Sequence, residues 1–176
     1  MQVEETAIPA VKIVTAAKHG DIRGFFSEVY NRAAWDKADL PFTFLQDNHS
    51  YSAAKGVLRG LHFQAPPHEE PKLVRCSRGA IHDVIVDLRR DSPTHCRWFA
   101  VELSADNRRA LYVPPGFAHG FQTLADDTEI FYAMAVAYAP EAARGVRWND
   151  PAFAITWPLA EPIMSERDAG YPDYRP

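Results

Sequence analysis

The feature that most constrains this chain is a succession of short apolar, β-branched and aromatic runs, each closed by turn-forming residues. The runs cover residues 11–14, 43–51, 57–64, 72–76, 80–88, 98–103, 110–113, 118–124 and 129–138. Fourteen prolines and nine glycines are spread between and beside them, as in the segment PPGFAH. A short strand cannot bury an apolar face alone. Many of them at this spacing predict an all-β sandwich or barrel. Helix is scarce, and the predicted helices are short and peripheral. One begins at Asn31 as N-cap over 31–40, and another lies in the tail, where Ser165 and Asp168 have capping-box spacing. No repeat, low-complexity tract or linker interrupts the pattern, and 176 residues suit one domain over 1–176 with its own core.

The composition excludes several function classes. A net charge of −4 argues against nucleic-acid and membrane-surface binding, which need basic patches. No apolar run approaches the roughly 18 residues of a membrane span, and the first residues resemble no signal or transit peptide. Cys76 and Cys96 are the only cysteines and read as free thiols. Together these features predict a cytoplasmic protein.

Polar residues crowd one stretch that must otherwise be strand. Gln46, Asn48, Arg59, His62 and Gln64 lie in QDNHSYSAAKGVLRGLHFQ, and burying them is costly unless they find partners or serve a ligand. In a regular strand Arg59 and His62 point to opposite faces, so a shared cavity requires an irregularity, predicted at Gly60. Lys72 stands at a strand start, either as a solvated edge charge or as a cation turned inward toward a developing oxyanion. Alternation places Tyr132 and Tyr138 on one face, as core packing or as a phenol acid beside a stacking ring. Asp168 either starts a helical turn or orients a histidine base.

The segments GVLRGLHFQ and PPGFAH resemble the two motifs of the cupins, which are double-stranded β-helix (jelly-roll) barrels. Metal-binding cupins carry His-x-His in the first motif. Here the second histidine is replaced by Gln64, and His62, Glu69 and His119 are the ligands that remain. The expectation is a barrel without a metal.

Five ordered motifs extend the resemblance: DIRGFFSE, the 46–64 stretch, PKLVRCSRGAIHDVIVDLRRDSPTH, VPPGFAHGF, and YAPEAARGVRWNDPAFAITWP. Together they are similar to the dTDP-4-dehydrorhamnose 3,5-epimerase family. The resemblance implies a cofactor-independent isomerase and a homodimer that exchanges N-terminal strands, with the tail 160–176 near the active site. It implies His62 as general base, Asp168 as its partner, Tyr132 as acid on the opposite sugar face, Lys72 near the C4 oxygen, and Asp83 in the proton-handling set. Substrate positions carried over are Arg59, Gln46, Asn48, His119, Phe26 and Arg167. Tyr138 carries over as the ring stacked on thymine, and Arg23 and Glu28 as groups supplied by the neighbouring chain.

The chemistry implied is coherent. A proton beside a ketone becomes removable because its charge spreads to an enolate, which needs a near-neutral base, a cation and an opposed acid. The implied substrate is a dTDP-linked 4-keto-6-deoxy sugar, leading toward dTDP-rhamnose and polysaccharide biosynthesis. Three departures from the family pattern, at Glu70, Ala143 and Arg167, leave open a relative that epimerises one carbon or uses another nucleotide. Readings from other classes are a metal-dependent cupin oxygenase or isomerase and a non-catalytic sugar-nucleotide-binding module.

Overall fold

The computed structural model describes residues 1–40 and 43–175. In chain order the elements are β1 (Gln2–Glu5), β2 (Lys12–Thr15), β3 (His19–Asp21), β4 (Gly24–Phe26), α1 (Arg32–Lys37), β5 (Gln46–Ser52), β6 (Leu58–Gln64), β7 (Lys72–Arg78) and β8 (Ala80–Asp87). There follow β9 (Trp98–Ser104), β10 (Arg109–Val113), β11 (Phe117–Thr123), β12 (Thr128–Met134), a 3-10 turn (Pro140–Ala142), β13 (Ala143–Gly145) and α2 (Glu166–Ala169). Every expected run contains a strand, though the run expected from residue 43 becomes strand only at Gln46. The run expected to continue to Tyr138 stops at Met134, so Tyr138 lies beyond the strand. Pro176, the last residue of the expected tail, lies outside the described residues.

The strands form two antiparallel sheets in the jelly-roll arrangement. Six strands run in the order β1-β2-β10-β7-β12-β5 and five in the order β13-β6-β11-β8-β9. Strand alternation explains the layers. Ile13, Val74, Leu111, Val113 and Ile130 of the six-stranded sheet meet Ile81, Ile85, Leu103, Phe117 and Phe121 of the five-stranded sheet in one core. The intervening residues Val14, Leu73, Ala110, Tyr112 and Ala133 face outward and are covered by Trp35 of α1 and by Leu40. On the far side, Leu61, Val86 and Ala118 pack with Val146 and Phe153, and Ile155, Trp157 and Tyr174 lean against them.

Both predicted helix starts are present. The Asn31 side chain accepts the Ala34 N–H at 3.2 Å, and the Ser165 hydroxyl accepts the Asp168 N–H at 3.1 Å. The hairpin β3–β4 stands apart, since among the described residues its strands pair only with each other, and it leaves Ile22, Phe25 and Phe26 exposed. Cys76 and Cys96 are free thiols, and burial pushes Cys76 up to about 11. Among the described residues no helix is long and apolar enough to cross a membrane.

Candidate active site

The inward faces of the two sheets bring together side chains that are far apart in sequence. A cavity of about 550 Å³ is lined by Ser50, Arg59, His62, His119, Phe121, Tyr132, Tyr138, Ser165, Arg167 and Asp168. His62 and His119 stand on neighbouring strands of the five-stranded sheet, in direct register. Tyr132 stands on the opposing six-stranded sheet, in register with Asn48 and Val74. Histidine and phenol therefore enter the cavity from different walls.

A bulge aims the histidine strand. His119 pairs with His62 and Phe121 with Arg59, so three steps along β6 match two along β11. The extra residue lies at the Gly60 position expected to be irregular, and it lets Arg59 and His62 share one cavity. Gly60 has φ of +130°, and a Cβ there would stand 2.6 Å from Gly120 Cα and 2.9 Å from the His119 carbonyl oxygen. Only glycine allows the two strands to approach this closely.

The half-buried His62 has a carboxylate partner 106 residues away, with Nε2 at 2.9 Å from Asp168 Oδ1. The other oxygen, Oδ2, accepts the Gly60 backbone N–H at 3.1 Å. Asp168 is 5% exposed. Burial on its own would raise its carboxyl, but the His62 and Gly60 bonds and the Arg167 guanidinium outweigh burial and hold it below its usual range. An ionised carboxylate accepts from Nε2–H, so the lone pair that can take a proton is on Nδ1.

Burial raises the Tyr132 phenol, Arg59 partly opposes the shift, and Glu70 adds to it. The phenol thus stays protonated at neutral pH and can donate. His119 Nε2 lies 2.7 Å from Asp83 Oδ1, which fixes the ring at the cavity wall. Asp83 is fully buried, and its partner is His119 rather than His62.

Other candidates lie outside the lining. Lys72 is on the same inward face as Tyr132, opposite Met134 two residues along β12, but its ammonium is 2.7 Å from Glu70 Oε1. Both side chains are almost buried, so Lys72 is neither a solvated edge charge nor an unopposed cation. Gln46 accepts the Tyr138 backbone N–H and donates to Asn48 at 2.8 Å, ordering the cavity rim without lining it. Arg23, Phe26 and Glu28 belong to or follow the exposed β3–β4 hairpin and do not line the cavity of their own chain. Glu69 lines a separate cleft of about 900 Å³ that holds none of the His–Asp pairs. Among the described residues no three His, Cys, Asp or Glu side chains gather as metal ligands.

Several site residues escaped the sequence reading. Ser50 and Phe121 follow Asn48 and His119 at strand period, so alternation was the signal that could have found them. Tyr171, which meets the His62 ring edge-on with centroids 5.7 Å apart, has no such signal, and Glu70, marked in the sequence only as a departure from the family pattern, proves to be the partner of Lys72.

With a carboxylate-backed imidazole and a protonated phenol on facing walls and two guanidiniums nearby, the arrangement has groups able to take a proton from one side of a bound substrate and give one from the other. Residues 5–175 match the family model described as dTDP-4-dehydrorhamnose 3,5-epimerase. The chain is 47% identical over 174 residues to dTDP-4-dehydrorhamnose 3,5-epimerase of Salmonella typhimurium, covering 98% of this chain and 94% of that protein. The crystal structure of the Bacillus anthracis epimerase with TDP and pyrophosphate bound superposes with TM-score 0.96 at 46% identity, covering 98% and 99% of the two chains. The Legionella pneumophila enzyme in complex with dTDP-4-keto-L-rhamnose gives TM-score 0.93 at 38% identity, covering 98% and 92%.

Proposed function

Because this chain belongs to the dTDP-4-dehydrorhamnose 3,5-epimerase family, we propose that it converts dTDP-4-dehydro-6-deoxy-D-glucose into dTDP-4-dehydro-L-rhamnose. The observation that carries the reading is the placement of the His62–Asp168 pair and Tyr132 on opposing sheets around one cavity. His62 Nδ1 removes the proton beside the ketone, and Asp168 stabilises the imidazolium through Nε2–H. Tyr132 protonates the enolate from the other face, which inverts the carbon. The substrate carries its own ketone, so the reaction needs no cofactor and no metal.

The remaining roles are carried over from the family resemblance. Lys72, shared with Glu70, supplies positive charge toward the C4 oxygen, and the buried Asp83 sets His119 against the sugar. Arg59 and Arg167 face the diphosphate, Tyr138 offers its exposed ring to the base, and Gln46 and Asn48 order the rim. The self-paired hairpin with Ile22, Phe25 and Phe26 uncovered supports a homodimer in which N-terminal strands are exchanged. In it Arg23, Phe26 and Glu28 reach the partner's cavity. A nucleotide-linked substrate and two free thiols support a cytoplasmic site of action.

Ala143 on β13 favours keeping a second reading, a 3- or 5-epimerase acting on another nucleotide-linked 4-keto-6-deoxy sugar. A panel of dTDP-, CDP- and GDP-4-keto-6-deoxy-glucose separates the readings by product analysis. Conversion of the dTDP sugar to the L-rhamno product supports the first, and turnover only with another nucleotide contradicts it.

A further inference from the structure

The tail does more than deliver Asp168. Gly145 of β13 is the direct cross-strand partner of His62. A Cβ at Gly145 would stand 2.3 Å from Cε2 and Cζ of Tyr171, because that ring occupies the space a side chain would fill. From there Tyr171 meets the His62 imidazole edge-on, with centroids 5.7 Å apart and planes at 74°. The Arg167 guanidinium lies 5.9 Å from the same ring.

The tail is pinned on both sides of this contact. Upstream, Ser165 caps the turn carrying Asp168. Downstream, the Arg147 N–H donates to the Pro172 carbonyl at 2.9 Å, Arg147 pairs with Asp173 at 2.6 Å, and the buried Asp150 accepts the Tyr174 N–H. The chain is therefore anchored on both sides of Tyr171, which sets where its ring stands against His62.

We propose that Tyr171, seated over the side-chain-free Gly145, is a positioning residue for the base. Asp168 fixes one point of the imidazole, and a single hydrogen bond leaves the ring free to swing about it. The Tyr171 wall removes that freedom and keeps Nδ1 aimed into the cavity. The inference rests on His62 being the base, as in the proposed function. Misplacement of a reacting group by about 1 Å costs on the order of 100-fold in rate.

The test compares wild type with Tyr171→Phe, Tyr171→Ala and Gly145→Ala. Imidazole ¹⁵N spectra report the His62 tautomer and its exchange, and kcat and KM are measured with the dTDP sugar. Tyr171→Phe keeps the ring and is expected to hold kcat within about threefold. Tyr171→Ala is expected to lower kcat by about 10- to 100-fold at nearly constant KM and to broaden the single His62 Nε2–H signal. Gly145→Ala, where it folds, is expected to follow Tyr171→Ala. Wild-type kcat together with an unchanged His62 spectrum in a folded Tyr171→Ala overturns the inference. Equal losses in Tyr171→Phe and Tyr171→Ala also overturn it, since they assign the effect to the hydroxyl. If wild type itself turns over no substrate, the proposed function fails, and the ¹⁵N spectra still decide the positioning.

Discussion

Replacing Asp168 by Asn keeps the shape of the side chain and removes the charge, so it isolates what the carboxylate does. The wild-type group serves two donors at once, His62 Nε2–H at 2.9 Å and the Gly60 N–H at 3.1 Å. An amide has one acceptor oxygen. If that oxygen stays on Gly60, the amide NH₂ faces His62, and the imidazole must put its proton on Nδ1, which blocks the base. If the amide turns, NH₂ faces the buried Gly60 N–H and leaves that donor unmade, at about 1–3 kcal/mol. For a chain of this length each kcal/mol lowers Tm by about 2–4 °C. The first arrangement avoids the buried clash and is favoured. The expected result is a kcat loss of up to about 10⁴-fold, the size seen when the carboxylate partner of a catalytic histidine becomes an amide. Affinity for dTDP, measured by calorimetry, is expected to change far less than kcat, because Arg59, Tyr138 and the sheet walls are untouched and only Arg167, 3.8 Å from Asp168, feels the lost charge. A kcat within threefold of wild type would refute the assignment of His62 and Asp168 as a functional pair.

Three further outcomes are expected. Gly60→Ala forces a Cβ to within 2.6 Å of Gly120 at a φ of +130°. A backbone strain of roughly 1–3 kcal/mol plus the clash should lower Tm by several degrees or more, and an unchanged melting curve would show that the bulge is not required. Tyr132→Phe should still exchange substrate hydrogen with solvent on the His62 face while losing inverted product; equal loss of both would remove the division between base and acid. Asp87 is fully buried and accepts from Arg89 at 2.7 Å and from the Ser92 and Thr94 hydroxyls at 2.6 Å. Burial would raise its carboxyl, but these bonds hold it well below the usual range. A depressed folded-state value stabilises above the unfolded value near 4 and is lost as pH falls through the folded one. Asp87→Asn should therefore melt lower at pH 7, with the gap to wild type closing below about pH 4; a constant gap would contradict the assignment.

Much of the fold could be read in the sequence because the central strands carry a two-residue period that also sorts their side chains between layers. Ile13 and Val14, or Leu111 and Tyr112, separate into inner core and outer face as alternation requires. The strands that escaped are short and lack that pattern: Gln2–Glu5 is exposed throughout, His19–Asp21 and Gly24–Phe26 pair only with each other, and Ala143–Gly145 is three residues at a sheet edge. Within the site, His62 and Gly60 stood out because polar side chains and a glycine interrupted a strand pattern. The capping-box spacing correctly placed Asp168 at a helix start, but no spacing could reveal its bond to His62 across the fold. The Lys72–Glu70 pair was missed for another reason. A lysine at a strand start reads equally as solvated or inward, and only three-dimensional packing shows both charges enclosed together.

In the proposed mechanism one base and one opposed acid handle protons on both sides of the ketone. Incubation of the enzyme with dTDP-4-dehydro-6-deoxy-D-glucose in deuterated buffer, followed by NMR of the sugar, tests it directly. Deuterium at both C3 and C5 of an L-rhamno-configured product is the predicted result; a sugar that returns without label at either carbon contradicts it.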